Sequence, residues 1–307
     1  MPLDRLHTRA HAKINLALSV GPASPPQGYH PIASWFCCID LCDELSLRRL
    51  PEGAPSVHAI GWAADAPRPS PIDWPAERDL AVRAHRALEA HAGRPLPLEL
   101  KLDKRIPVGG GLGGGSSDGA AMLGAVDRLF DLRLGVPTLA RLGASLGSDV
   151  PFFLDDGGGL GAPARPALVE GFGERLERLS PPAPGGWAVL VIPPFGCPTG
   201  PVYRAYDAAP TRLDAQRIRD LIGRSRGAPV DRSAELFNDL AEPAARVEPR
   251  LAELQRRLRL GLDLPVHVTG SGSTLFALAA SGRDAADLAR RATDLAPEAV
   301  VVRAALI

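Results

Sequence analysis

Six of the seven residues 109–115 are glycine, and Ser116, Ser117 and Asp118 follow at once. Glycines let successive backbone N–H groups turn into one concavity, and a helix N-terminus behind them adds partial positive charge. The segment Pro107, Val108, Gly109, Gly110, Gly111, Leu112, Gly113, Gly114, Gly115, Ser116, Ser117 stands between an alternating strand-like run (96–103) and an apolar helical run that ends near Phe130. That position argues for a phosphate-binding loop rather than a flexible linker. The two hydroxyls at the helix entrance can cap it or hold a phosphate-bound Mg²⁺. The Walker pattern fails, because no lysine follows the glycines. Gly109, Gly111 and Gly114 have the spacing of a dinucleotide fingerprint. Residues 133–137, however, lead straight to another helix where that fingerprint requires a second strand.

Two further residues carry chemistry. The 35 basic residues divide into 32 arginines and the lysines Lys13, Lys101 and Lys104, so a retained lysine points to a need for an ammonium group. Lys13 and Asn15 alternate with Ala12, Ile14, Leu16 and Leu18, which predicts a half-buried strand over 10–20 with a lysine and an amide on its second face. Asp149 sits between a Gly-Ser turn and the apolar run 150–153. Its type and place fit a catalytic carboxylate and a helix cap or Asx-turn equally well.

The elements that must position these groups mix irregularly. Strands are expected at 10–20, 32–40, 43–50, 96–103, 187–192, 265–269, 274–279 and 299–306. Helices are expected at 78–91, from the glycine loop to about 130, and at 137–147, 201–206, 213–222, 249–260 and 283–295. Residues 51–75 read as an elaborated loop around a short strand, and 155–166 as irregular Gly/Pro/Ala sequence. This order favours α+β over a doubly wound parallel sheet. A length of 307 residues suits one large or two ordinary domains, and the chain divides here into 1–170 and 171–307.

Composition excludes several classes. The chain is 45% hydrophobic and 23% charged, as expected of a globular protein and not of a disordered or fibrous one. A formal net charge of +0 gives no general basis for binding nucleic acid or an anionic membrane. No apolar run is long enough to span a membrane and no signal peptide is visible, so a cytoplasmic location is expected. Cys37, Cys38 and Cys42 lack a CxxC pair or a nearby histidine, and with Cys197 they read as buried thiols rather than a metal site.

The segment PVGGGLGGGSSDGAA resembles the phosphate loop of the GHMP kinases. Its doubled GLGGGSSD form is most similar to the branch that phosphorylates 4-diphosphocytidyl-2-C-methyl-D-erythritol. AKINLAL from residue 12, GYH from 28, GSDVPFF from 147, EGFGERL from 170, FNDL from 237 and TGSGSTLFA from 269 agree with the same branch in the same order. The resemblance implies a two-domain GHMP kinase fold, with an N-terminal ribosomal-protein-S5-like domain and a C-terminal ferredoxin-like domain. It also implies transfer of the γ-phosphoryl group of ATP, with Mg²⁺, to the C2 hydroxyl of that small-molecule substrate, in the non-mevalonate route to isoprenoids. Monomer and homodimer are both compatible with it.

By the same resemblance Lys13 and Asp149 are catalytic. Residues 107–117 hold ATP, with Ser116 or Ser117 near the metal. Asn15, Tyr29, His30, Tyr203, Gly270, Ser271 and Gly272 meet the substrate. In two places the chain departs from the pattern. The Arg and Asp that normally precede GYH are replaced in SPPQGYH, and Asp79 replaces an asparagine before the LxxRA helix. An acceptor-only carboxylate at the latter position would meet adenine differently from an amide. Sister kinases of homoserine, mevalonate or sugars, and a non-catalytic ATP-binding sensor, are the competing readings.

Overall fold

The computed structural model describes residues 3–25, 28–182 and 185–307. The strands are β1 (Arg5–Val20), β2 (Ile32–Arg49), β3 (Val57–Trp62), β4 (Leu98–Lys104), β5 (Ala167–Gly171), β6 (Arg175–Arg178), β7 (Trp187–Ile192), β8 (His267–Val268), β9 (Leu275–Ala279) and β10 (Val300–Ala305). The helices are α1 (Leu80–Ala92), α2 (Gly114–Leu129), α3 (Gly135–Leu146), α4 (Val150–Phe153), α5 (Thr199–Tyr206), α6 (Ala215–Ser225), α7 (Ala241–Val247), α8 (Pro249–Leu262) and α9 (Gly282–Leu295). One sheet runs β3-β4-β2-β5-β6 with β1 paired to β2, and a second runs β10-β7-β9-β8. Of these pairings β3 with β4 is parallel, whereas β2 pairs antiparallel with both β4 and β5. The fold is α+β, as expected.

The chain forms two compact units that interleave along the sequence. The first comprises Met1–Ala12, Leu41–Val108 and Gly113–Ala164; the second comprises Lys13–Asp40, Gly109–Leu112 and Arg165–Ile307. In the first unit, leucines of β2 and β4 (Leu45, Leu47, Leu98, Leu100, Leu102) pack with Leu88 of α1 and with Met122, Leu123 and Val126 of α2. In the second, Val189 and Val191 of β7 and Leu275 and Ala277 of β9 pack with Leu251, Leu254 and Leu258 of α8 and Leu288 of α9. With aromatics at 5%, aliphatic burial carries both cores. From residue 187 onward the order of elements around the second sheet is strand, helices, strand, strand, helix, strand. Its strand order is fourth-first-third-second, the ferredoxin-like arrangement.

Three expectations about elements need correction. The strands expected at 32–40 and 43–50 are one continuous strand, β2, because Leu41 and Cys42 keep extended backbone between its two pairings with β5 and β4. Strand β1 is not half-buried: every residue from Ala10 to Val20 is buried on both faces. Lys13 and Asn15 therefore face protein groups. Strands β5 and β6 and helices α4 and α7 were not foreseen, being four to seven residues long.

Candidate active site

In the second unit the lysine strand, the first glycines of the loop and the turn after β8 form one hydrogen-bonded cluster. Lys13 is only 3% exposed. Its Nζ donates to Asn15 Oδ1 at 2.6 Å and lies 4.6 Å from the centre of the Phe36 ring. The Asn15 amide donates to Ser34 Oγ at 2.9 Å, and the Ser34 hydroxyl donates to the Ala17 carbonyl at 2.6 Å. These bonds turn the Asn15 oxygen towards the ammonium, so Asn15 helps to hold Lys13 in place. The ring and the amide oxygen both favour a cation, which offsets part of the burial cost of the charge.

Thr269 ties this strand to the loop. Its Oγ1 accepts from the Asn15 N–H at 3.0 Å, and its own proton faces both Asn15 Oδ1 and the Gly111 carbonyl, each at 3.3 Å. The backbone adds two more ties: Lys13 N–H to the Leu112 carbonyl at 2.9 Å, and Thr274 N–H to the Gly110 carbonyl at 3.3 Å. Gly111 and Gly270 both have positive φ, and their backbones approach each other directly. A Cβ on Gly111 would strike the Thr269 carbonyl oxygen, and one on Gly270 would stand 3.3 Å from Gly111 Cα. Only glycine fits at either place.

The turn itself is a β8–β9 hairpin, but its residues are bound from several sides. Asn238 donates to the carbonyls of Val268 and Gly270, both at 2.8 Å, and Ser271 Oγ lies 3.0 Å from Thr199 Oγ1. Gly272 continues the turn, its N–H donating to the Thr269 carbonyl at 2.9 Å.

Also in the second unit, His30 and Tyr203 stack at 4.9 Å, and Tyr206 meets the His30 ring edge-on at 5.6 Å. His30 Nδ1 faces the Gly21 carbonyl at 3.0 Å, and a carbonyl can only accept, so Nδ1 carries the proton. Its Nε2 lies 3.4 Å from Asp207 Oδ1. Tyr29 is 68% exposed and meets Phe172, 47% exposed, edge-to-face at 6.5 Å. Pro26 and Gln27, part of the altered SPPQ segment, lie outside the described residues.

In the first unit, Pro107 is buried and Val108 exposed, and α2 begins at Gly114 with Gly113 as its N-cap and no side chain capping it. A 16-residue helix that opens without a side-chain cap keeps its first N–H groups available to an anion. The glycines and this helix end therefore fit a triphosphate. Ser117 is buried and Ser116 partly exposed. Ser116 Oγ lies 3.8 Å from where a Cβ on Gly147 would stand, which brings it to the turn carrying Asp149. Asp149 occupies the N-cap position of α4 but makes no capping bond there. A helix cap is thus not its role.

Asp79 caps α1. Its Oδ1 accepts from the Ala81 N–H at 2.9 Å and its Oδ2 from Trp74 Nε1–H at 3.3 Å. Both oxygens are engaged within the protein, and the carboxylate suits this N-terminal position. Cys37, Cys38 and Cys197 are buried, whereas Cys42, expected to be buried as well, is only half-buried; none is bridged, and burial pushes the Cys197 thiol up to about 11. Among the described residues no group of three or more His, Cys, Asp or Glu side chains is arranged to hold a metal. Among them also, no helix is long and apolar enough to cross a membrane.

Sequence reasoning placed Thr269 in the loop by the active site without its bonds, and missed Asn238, Ser34, Phe36 and Phe172. Thr269 and Asn238 fall inside motifs that resemble the family, yet a buried hydroxyl or amide gives no mark in sequence of the bond it makes. Phe172 carried a usable signal, an aromatic between two glycines in EGFGERL.

Known proteins resemble this chain along nearly its whole length. The description "GHMP kinases N terminal domain" matches residues 79–157, and "GHMP kinases C terminal" matches residues 218–297. The 4-diphosphocytidyl-2-C-methyl-D-erythritol kinase of Moorella thermoacetica is 39% identical over 306 residues, covering 98% of this chain and 99% of its own. That of Pelotomaculum thermopropionicum is 38% identical over 284 residues, covering 92% of each. A crystal structure of 4-(cytidine 5'-diphospho)-2C-methyl-D-erythritol kinase matches with a TM-score of 0.71 and 34% identity, over 97% of this chain and 98% of that one. Such identity over nearly the whole length leads to one conclusion: this chain is an ATP-dependent kinase belonging to the GHMP kinases, in the 4-diphosphocytidyl-2-C-methyl-D-erythritol kinase family.

Proposed function

We propose that this kinase transfers the γ-phosphoryl group of ATP to the C2 hydroxyl of 4-diphosphocytidyl-2-C-methyl-D-erythritol, giving the 2-phosphate and ADP in the non-mevalonate route to isoprenoid precursors. The observation that carries the reading is the buried Lys13 ammonium, fixed by Asn15 in the same bonded cluster as Gly111. A charge held there at the cost of its hydration is of use where negative charge develops during the reaction.

Phosphoryl transfer demands little covalent help from a protein; it demands position and compensating charge. Backbone N–H groups of 107–117 and the open end of α2 take the triphosphate. Mg²⁺, when bound, neutralises phosphate charge, and Ser116 is the hydroxyl assigned to it, since Ser117 is buried. Asp149, which is not spent on capping α4, orients the C2 hydroxyl and accepts its proton as the oxygen bonds to the γ-phosphorus and the bond to ADP breaks. Lys13 stabilises the oxygen as it loses that proton.

At the other end of the substrate, Tyr29, Phe172 and Tyr203 offer flat faces to a pyrimidine. His30, bonded through Nδ1 to the Gly21 carbonyl, packs beside the Tyr203 ring and fixes its place. The turn at Gly270, Ser271 and Gly272 contacts the substrate phosphates. The neutral overall charge supports a small-molecule partner over nucleic acid.

The test is a panel of acceptors with Mg·ATP, with the product located by ³¹P NMR. Phosphorylation at C2 of the cytidylyl substrate, with homoserine and mevalonate at least about a hundredfold poorer in kcat/KM, is expected. Equal or better use of another acceptor would overturn the assignment of substrate.

A further inference from the structure

Three charged side chains lie buried in the first unit with no part in the chemistry above. Lys104 ends β4, Asp43 stands on β2 and Asp118 on α2; their side chains are 4%, 0% and 1% exposed. Lys104 Nζ donates to Asp43 Oδ2 at 2.8 Å and to Asp118 Oδ2 at 2.5 Å. Asp43 Oδ1 accepts from the backbone N–H groups of Arg105 at 2.5 Å and of Ile106 at 2.7 Å. Asp118 Oδ1 has no partner among the described residues.

The charges do not balance. Two carboxylates share one ammonium in a dry place, and an apolar core of the same volume would be at least as stable. Burial would push the Lys104 ammonium down, but the two carboxylates outweigh it and hold the charge on. Burial pushes Asp118 well above the ordinary carboxylate range against the pull of Lys104. Nor does Asp118 serve the helix end: it lies beyond the first turn of α2, which contains no acidic residue.

What the three residues share is their position in the chain. Arg105 and Ile106, bonded to Asp43, immediately precede the glycine loop at Pro107. Asp118, bonded to Lys104, immediately follows it. The whole segment 107–117 is thus tied at its entry and its exit through one ammonium group. A run this rich in glycine has more backbone freedom to lose than any other, so it needs fixing from outside.

We propose that Asp43, Lys104 and Asp118 form a buried clamp that sets the two ends of the glycine loop in the shape that receives ATP, with Asp118 a positioning residue acting through Lys104. The proposal rests on the reading of 107–117 as the ATP loop. Asp118→Ala is the informative variant. It cuts the tie to α2 and removes an unpartnered oxygen, yet leaves Lys104 and Asp43 as a neutral pair. Asp118→Asn keeps an acceptor for Lys104 but loses the charge, which leaves a bond of about half the strength.

Amide hydrogen exchange of the ATP-free protein reads the clamp without any turnover. Loop peptides over 107–117 are expected to exchange about tenfold faster in Asp118→Ala, with the asparagine variant between it and wild type. KM for ATP is expected to rise about tenfold in the alanine variant while KM for the acceptor stays within about twofold. Loop exchange and KM for ATP both at wild-type values would overturn the clamp. So would loosening spread evenly over β4 and all of α2 with both KM values rising together, the pattern of a merely structural role. If the alanine variant does not fold, wild-type loop exchange in Asp118→Asn overturns the proposal. Gly111→Ala separates the two claims. Should it leave KM for ATP unchanged, the loop reading fails, while the exchange experiment still decides the clamp.

Discussion

Lys13 illustrates how a single side chain acquires a role from its surroundings. Its ammonium lies against an amide oxygen and an aromatic face, both of which favour the cation. Replacing it with methionine keeps the volume and removes the burial cost of the charge. Lys13→Met should therefore keep the fold, and kcat should fall about 10²–10³-fold. Activity within tenfold of wild type would take Lys13 out of the transfer step. Residues of this kind were legible because their types are rare or their motifs are shared: three lysines among 35 basic residues made each one conspicuous. Two of the three, Lys13 and Lys104, prove to be buried, whereas Lys101 is an exposed partner of Asp103. Asp79 was legible only as a substitution. Whether it caps a helix or meets a ligand depends on Trp74 and Ala81, whose bonds no spacing reveals.

At the scale of elements, the Thr269 hydroxyl joins the β8–β9 turn to the glycine loop, beside the backbone bond from Thr274 to Gly110. Thr269→Val preserves shape and removes that hydroxyl, leaving the Asn15 N–H buried without its acceptor. A loss of about 1–3 kcal/mol in denaturant unfolding is expected, together with a raised KM for ATP, and Thr269→Ser should restore both. A valine variant with unchanged stability and KM would show that the turn and the loop keep their shape without this bond. Strand β1 was legible from its alternation, but the burial of both its faces was not, since polar residues on a second face read as solvent-facing until something covers them. The same pattern logic split β2, whose interior sequence LCD interrupts the apolar run without interrupting the backbone. Short elements escaped for a simpler reason. Arg175–Arg178 and Ala241–Val247 are too brief for any period to show, and their form is imposed by pairing with β5 and by packing on α5 and α8.

For the molecule as a whole, the α+β class and the ferredoxin-like sheet followed from element order and resemblance, but the interleaving of the two compact units did not. Strands of 16 and 18 residues contribute to both units, so contact does not follow sequence. Stability should depend on pH through buried histidines. Burial lowers His267 to about 4, with Arg259 adding to the effect and a bond to the Ser233 carbonyl opposing it. His85 and His58 are lowered by burial as well. The unfolded chain binds protons at these sites from about pH 6.5 downward, before the folded one does. Unfolding free energy should therefore fall as pH drops from about 6.5 towards 4, by at most about 1.4 kcal/mol per pH unit for each histidine. His267→Gln should flatten that slope, and an unchanged slope would exclude His267 as a contributor. The central claim, that this chain phosphorylates 4-diphosphocytidyl-2-C-methyl-D-erythritol with Asp149 at the acceptor hydroxyl, is tested most directly by ADP release from Mg·ATP with that substrate, for wild type and Asp149→Asn side by side. The account predicts substrate-dependent release by the wild type, reduced about 10²–10⁴-fold in the variant with ATP binding intact. Tight ATP binding without substrate-dependent turnover in the wild type, or full turnover in the variant, would contradict it.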